Sequence, residues 1–174
     1  LAFHNFLELP GLDPVRADQV WTQGQELLRA FEGMDASLTP HAPYSMSEPL
    51  LRKIYAVSGH ISVHLLESRE EVQFLAGGGP MAEAFRQWHL EWAPFPEYHP
   101  VDYVLRGLSP GTRAIWVHNL YAAAADLQKL IRRVPASYFC LCPRSNQYLH
   151  GRCPELSRFA AVQDRVCLGT DSLA

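Results

Sequence analysis

The sequence has no apolar run long enough to cross a bilayer, since its uncharged stretches fall well short of the ~20 residues that a membrane helix needs. It also lacks an excess of one charge: 15 basic and 18 acidic residues give a formal net charge of −3. Neither a basic stripe for nucleic acid nor a cationic face for a membrane surface is therefore expected. Both classes of partner are excluded at this stage.

Cysteines are few, and they do not form a recognisable framework. The four residues Cys140, Cys142, Cys153 and Cys167 lack the paired spacing of a zinc ribbon, and they are too few for a secreted domain held by disulfides. They are typical of reduced thiols in a cytoplasmic protein. Histidine, in contrast, is abundant, because eight histidines are more than the packing of 174 residues needs.

Short apolar runs alternate along the chain with longer helical patterns. The length and the 48% apolar content predict one domain with a sizeable core. Strands are predicted over residues 1–9, 36–40, 60–65, 113–119, 136–142 and 165–170. Helices are predicted over residues 13–33, 47–57, 68–75, 122–134 and 155–162, and an aromatic, proline-rich stretch at 81–103 is expected to hold one short helix.

This alternation predicts an α/β fold with a parallel sheet and crossover helices. The strands are apolar along their length, as expected when both faces of a sheet are covered. Two architectures fit the pattern, a doubly wound open sheet and a (β/α)8 TIM-type barrel. An open sheet that binds a nucleotide would carry a glycine-rich phosphate loop after its first strand, and the sequence has none there.

Polar residues recur where the predicted strands end, and they favour the barrel. The carboxyl ends of barrel strands converge on the face where such barrels build their active sites. About six of the eight βα units are accounted for. The strand-end residues are His41, His64 with Glu67, His118, Asn146 and Asp171.

Each strand-end residue taken singly has an ordinary structural explanation, such as a hydrogen-bonded histidine or a helix cap. Together they indicate metal-assisted hydrolysis, because imidazole and carboxylate groups suit zinc or iron(II). Glu67 is expected one helical turn from His64, where it would carry protons for an activated water. His118 would either hydrogen-bond that water or accept its proton, and Asp171 would serve as both ligand and base.

Five motifs in order resemble those of the metal-dependent amidohydrolase superfamily: "TPHAPYS", "VHLLES", "VHN", "CPRSNQYL" and "LGTDSLA". Within it they resemble the aminohydrolase branch, which includes guanine deaminase, methylthioadenosine/adenosylhomocysteine deaminase, aminodeoxyfutalosine deaminase and triazine chlorohydrolase. The likeness runs from about Ser37 to Ala174. His-x-x-Glu alone is a weak signal, whereas five motifs in sequence order are a strong one.

The resemblance implies a deaminase that replaces an exocyclic amine of a purine-like heterocycle with oxygen. It implies His64, His118 and Asp171 as ligands of a divalent metal, with zinc favoured over iron(II). His118 and Asp171 would also activate water, and Glu67 would shuttle protons and touch the base. His41 would contact the ring or sugar of the substrate, and Asn146 would be a support or a substrate contact.

One departure from the family stands out. The family's first strand carries a His-x-His pair that supplies two ligands, and no such pair occurs among these 174 residues. About two βα units are also missing, since a complete barrel needs ~250 residues. We expect residues 1–174 to be the central and C-terminal part of a single barrel. The alternative is a truncated barrel without metal that serves as a binding module.

The stretch 81–103 has two interpretations. Its aromatic residues could form a wall over a planar substrate, or they could pack on the barrel exterior or against a partner copy in a homodimer.

Overall fold

In the part of the chain that the structure describes, six short strands alternate with helices, close to the predicted positions. The computed structural model describes residues 3–90 and 98–171. The strands are β1 (Asn5–Leu9), β2 (Ala36–Pro40), β3 (His60–Leu65), β4 (Arg113–His118), β5 (Ala136–Leu141) and β6 (Val166–Leu168). The helices are α1 (Ala17–Arg29), α2 (Glu48–Val57), α3 (Arg69–Leu75), α4 (Gly79–Gln87), α5 (Pro100–Val104), α6 (Ala124–Arg133) and α7 (Pro143–His150).

All the strand pairs are parallel, and the strands stand side by side in chain order. Backbone ladders join β1 to β2 and connect β3, β4, β5 and β6. Side chains bridge the step from β2 to β3, where the Thr39 hydroxyl donates to the Ser62 carbonyl at 2.6 Å and accepts the Ser62 N–H at 2.8 Å. Parallel strands in sequential order, with helices between them, make up six units of a (β/α)8 barrel.

The core lies between the strands and the surrounding helices. Ile61, Val63 and Leu65 of β3 are fully buried and belong to one cluster with helical residues such as Ile54 and Phe74. Burial of each such side chain contributes about 1.5–3 kcal/mol to stability. The structured core therefore holds β3 firmly, and the end of β3 is where two of the predicted site residues lie.

The expectation of strands covered equally on both faces is wrong for β3. Its burial alternates, with His60, Ser62 and His64 half-buried and their neighbours buried. The helices cover only one face of the strand. The other face points into the barrel, which six strands leave partly open.

Two predicted connections also differ from the structure. The stretch 81–103 holds two helices rather than one, α4 and α5, and its residues 91–97, including Trp92 and Phe95, lie outside the described part of the chain. The "CPRSN" segment, where no helix is predicted, leads into α7 with Pro143 in the first turn. Proline is favoured there because it needs no hydrogen-bond partner for its nitrogen.

Two further helix boundaries shift. The first helix begins with a 3-10 turn at Pro14–Arg16, which Asp13 caps by accepting the Val15 N–H. The helix expected over 155–162 is a 3-10 segment, Leu156–Arg165, with a kink at Val162. No helix in the described ranges combines the length and the apolarity that a membrane span requires.

Candidate active site

Four of the predicted site residues come from three different strand ends and converge in space. His64 is the penultimate residue of β3, His118 is the last residue of β4, and Asp171 follows β6 by three residues. The Asp171 carboxylate lies 3.9 Å from Nε2 of His64 and 3.9 Å from Nε2 of His118. Oε1 of Glu67 lies 3.6 Å from Nε2 of His118. The fold thus brings two imidazoles and two carboxylates to one place.

Left-handed backbone conformations mark these strand ends. Among the described residues, five non-glycine positions have positive φ, and four of them are at the site: Leu66 (53°), His118 (69°), Asn119 (53°) and Asp171 (59°). In the ladder, His118 pairs with Leu65, which points toward the helices. The left-handed turn at His118 redirects its ring toward His64, and the two ring centroids are 5.3 Å apart. Such strain costs about 1–3 kcal/mol per residue and clusters at functional sites.

The sequence predicts that Glu67 lies one helical turn from His64, and this prediction is wrong. The strand runs to Leu65, the chain bends at Leu66, and α3 starts only at Arg69. Glu67 therefore reaches the site from a strained turn. Its side chain is mostly buried, with 15% exposed.

His64 has one ring nitrogen occupied and one available. The carbonyl oxygen of His41 lies 3.0 Å from both the backbone nitrogen and the ring Nδ1 of His64. Because a carbonyl only accepts hydrogen bonds, it assigns the ring proton to Nδ1. The lone pair of Nε2 then faces Asp171 and the rest of the site.

His118 is fully buried and repeats this arrangement with a side-chain partner. Its Nδ1 lies 2.8 Å from Oδ1 of Asn146, an acceptor that again places the ring proton on Nδ1. Its Nε2 is buried and makes no hydrogen bond within the described structure. An unpaired buried polar atom costs about 1–3 kcal/mol. The atom is thus set up to accept a ligand or donor that the described residues do not supply.

Helix α7 contacts three of the converging groups. The Ser145 hydroxyl donates to the Asp171 carboxylate, the Asn146 amide bonds His118, and Nε2 of His150 lies 3.8 Å from Oε1 of Glu67. Asn146 is itself fully buried. Sequence reasoning found Asn146 but missed Ser145 and His150. A helix prediction from Pro143 would have placed Asn146 and His150, four residues apart, on one face.

His41 lies beside these residues, immediately after β2. Its Nδ1 bonds the Ser45 hydroxyl at 2.7 Å, and its ring centroid is 4.9 Å from that of His64. Burial, reinforced by the neighbouring His64, lowers the pKa of His41 below its usual value. The ring therefore stays neutral at neutral pH.

Glu8 of β1 also reaches the site and was missed by sequence reasoning. Its carboxylate lies 3.6 Å from Nδ1 of His64. The available signal was a single charged residue within the apolar strand "NFLEL".

Two groups of residues in the described part of the chain bring their donor atoms within 4.8 Å of one another. The first group is His64, His118 and Asp171, and the second is Glu8, His41 and His64. Two imidazole nitrogens and one carboxylate oxygen are a donor set that zinc accepts. The first group, with its unpaired Nε2 atom, fits a divalent cation.

Comparison with known proteins places the chain in a family. The amidohydrolase family pattern matches residues 16–174. Among curated relatives, the adenosine deaminase of Helicobacter pylori is 27% identical over 86% of this chain. The aminodeoxyfutalosine deaminase of Deinococcus radiodurans is 29% identical over 92%. The chain spans only 40% and 42% of the length of these two relatives.

Solved structures show the same fold. Helicobacter pylori aminofutalosine deaminase in complex with methylthio-coformycin superimposes with a TM-score of 0.80 at 23% identity, over 95% of this chain and 42% of that one. An adenosine deaminase from Xanthomonas campestris with bound zinc gives a TM-score of 0.63 at 18% identity, over 89% and 33%. The family pattern covers nearly the whole sequence, and the chain therefore belongs to the amidohydrolase family.

Proposed function

We propose that residues 1–174 form the central and C-terminal part of a metal-dependent deaminase that removes an exocyclic amine from a purine-like heterocycle. The observation that carries this proposal is Nε2 of His118, which is buried, unpaired, and faces both Glu67 and Asp171. The Asn146 amide oxygen places a ring proton of His118 on Nδ1, which makes Nε2 the nitrogen that would act as a ligand.

The coverage of the relatives supports the domain assignment. The chain spans about two fifths of each, and the six strands in its described residues are fewer than the eight of a complete barrel. Within the described residues, β1 and β6 each have a strand partner on one side only. Unpaired strand edges are a liability that folded proteins usually cover. Two further βα units of the same polypeptide would close the barrel.

His64, His118 and Asp171 would hold the metal. Two neutral imidazoles and a carboxylate favour zinc, and iron(II) is compatible with the same ligands. When bound, such an ion would supply Lewis-acid activation of water, lowering its pKa from ~16 to about 7. A Ser145 hydrogen bond would orient the Asp171 carboxylate from the side of α7.

Glu67 would move the protons of the reaction. Its carboxylate would take a proton from the attacking water and give it to the departing amine, so that the C–O bond forms, the C–N bond breaks and ammonia leaves. Asp171 would help to orient and deprotonate the water, and His118, whose Nε2 would ligate the metal while Nδ1 carries its proton, would hold the ion beside it. Glu67 would be within reach of a water at the metal, because its Oε1 lies 3.6 Å from Nε2 of His118.

His41, Glu67 and Asn146 would serve the substrate, a small heterocyclic amine. A neutral His41 ring held by Ser45 can donate or accept a hydrogen bond to a ring or sugar. Glu67 would also touch the base. Asn146 is fully buried, which favours a supporting role through His118 over direct contact. The names of the curated relatives support an adenosine-like amine as the first substrate class to test.

The decisive experiment uses the full-length polypeptide that carries these residues. Metal content is measured by elemental analysis, and ammonia release is followed over a panel of purine bases and nucleosides, pterins and triazines. We expect about one transition-metal ion per chain, and we expect Glu67→Gln to retain the metal while losing deamination by a factor of about 10²–10⁴.

Two outcomes would contradict the proposal. A folded, full-length protein without metal that chelators leave unchanged would favour a binding module. A metal-loaded protein that leaves the whole panel untouched would refute the deaminase assignment.

A further inference from the structure

Glu71, in the first turn of α3, is fully buried, and its carboxylate binds consecutive backbone groups. Its Oε1 accepts the N–H of Leu66 and its Oε2 accepts the N–H of Glu67, each at 3.0 Å. The N–H of Glu71 donates in turn to the Ser68 hydroxyl at 3.0 Å. Glu71 therefore ties the start of α3 to the turn that carries the Glu67 side chain.

That turn needs to be held. Leu66 has a left-handed backbone conformation with φ of 53°, which costs a leucine roughly 1–2 kcal/mol. On its other side, the Leu66 carbonyl accepts the N–H of Tyr121 at 2.9 Å, which links the turn to the segment after β4. With both N–H groups bound by Glu71, the strained turn has little freedom to relax.

Packing alone does not explain a carboxylate at this position. A buried carboxylate costs several kcal/mol unless hydrogen bonds compensate for it, and an apolar side chain would fill the same space without that cost. Burial raises the pKa of Glu71, and the N–H groups of Leu66 and Glu67 oppose that rise because they stabilise the ionised form. The hydrogen bonds to Leu66 and Glu67 are what an apolar residue could not provide.

We propose that Glu71 is a positioning residue, which fixes the Leu66–Glu67 turn so that the Glu67 carboxylate stays beside His118. This inference rests on the role proposed above for Glu67. The Glu67 carboxylate must remain near Nε2 of His118, which is 3.6 Å away. A misplacement of ~1 Å in an active site can lower the rate about a hundredfold. Glu71 acts on the reaction through the backbone and has no contact with substrate.

Glu71→Gln in the full-length protein tests the proposal. Glutamine keeps the shape but turns one acceptor into a donor, so that one of the two backbone N–H groups loses its partner. We expect kcat to fall by about ten- to a hundredfold, with metal content unchanged. Amide hydrogen exchange measured by mass spectrometry should accelerate over residues 65–68.

Ser68→Ala is the matched control. It removes the N-cap of the same helix and leaves the N–H of Glu71 without its side-chain acceptor, which should cost about 1 kcal/mol of stability. The substitution leaves in place the two hydrogen bonds that the N–H groups of Leu66 and Glu67 donate to Glu71. We therefore expect a lower Tm with kcat unchanged.

Three results would overturn the positioning role. Glu71→Gln with normal kcat would do so, as would equal losses of kcat in both variants in proportion to their loss of stability, which would show a merely structural part. Exchange over residues 65–68 that stays at the wild-type rate would refute the clamp itself. That last measurement needs no activity, so it separates failure of this inference from failure of the deaminase assignment.

Discussion

Two groups of candidate ligands share His64, and the difference between them shows where a cation fits. In the first group, with His118 and Asp171, both imidazoles have Nδ1 bound to an acceptor and Nε2 turned toward the centre. In the second group, with Glu8 and His41, the His64 nitrogen that lies 3.6 Å from the Glu8 carboxylate is already engaged. Nδ1 of His64 bonds the His41 carbonyl, and Nδ1 of His41 bonds Ser45.

Nearby donor atoms do not by themselves make a metal site. A ligand nitrogen has to be deprotonated and unshared, and the hydrogen bond at the other nitrogen decides this. The first group meets the condition, whereas in the second the Glu8 carboxylate lies 3.6 Å from the protonated side of His64. We interpret Glu8 as an outer partner that orients His64, in line with the carboxylate–histidine–metal arrangement.

The largest expected effect comes from the same chemical change made in each group. Asp171→Asn removes a ligand charge at the centre, and we expect the metal to be lost and activity to drop by about a thousandfold or more. Glu8→Gln keeps the shape at the outer position, and we expect about a tenfold loss of metal affinity. Elemental analysis and ammonia release on both full-length variants check this. Equal losses in the two variants would erase the distinction between the groups.

An intermediate effect is expected when the support of His118 is removed. Asn146→Ala deletes the acceptor that keeps the ring proton on Nδ1, so the Nε2 lone pair is no longer assured. We expect a 10–100-fold loss of metal affinity with the fold retained. Competition with a chelator of known affinity measures it, and Ser45→Ala, which removes the corresponding partner of His41, serves as the control. A larger loss of metal affinity in Ser45→Ala than in Asn146→Ala would contradict the assignment of the cation to the first group.

The smallest expected effect concerns pH and His41 in the second group. The folded state lowers the pKa of His41, so the unfolded chain binds more protons below about pH 6.5. The contribution of His41 to stability is thus fully present above that pH and is lost as the pH falls through the lowered folded pKa. Chemical denaturation of metal-free wild type and His41→Gln between pH 5 and 8 tests it. The variant should show the shallower decline on acidification, and a steeper one would contradict the assigned direction.

Much of the fold could be predicted because the pattern of apolar residues is local. β2 and β3 were predicted at their observed bounds, since apolar strands between polar breaks are visible in the sequence. The prediction failed where backbone conformation depends on distant partners. The stretch from Pro143 onward has no predicted helix but forms α7, whose Asn146 and Ser145 contact His118 and Asp171.

The candidate site likewise contains residues that could be predicted from the sequence and residues that could not. The placement of His41, His64, His118 and Asp171 at strand ends could be predicted, because parallel strands in a barrel must end on one face. Glu8, Glu71 and His150 could not be assigned to the site, because their relevance depends on hydrogen bonds and distances across elements. The sequence also predicts a helical turn between His64 and Glu67. That error becomes visible only in the structure, where Leu66 has a left-handed conformation.

By itself the sequence determined the alternation of strands and helices and the set of residues at the strand ends, because both follow from local patterns of apolar and polar residues. Only the tertiary structure decided which nitrogen of each histidine is free, through the His41 carbonyl for His64 and the Asn146 amide for His118. It also decided that Glu67 enters the site from a left-handed turn bound by Glu71. These features arise from contacts between residues distant in the chain or from backbone strain that such contacts maintain, and neither leaves a periodic trace in the sequence.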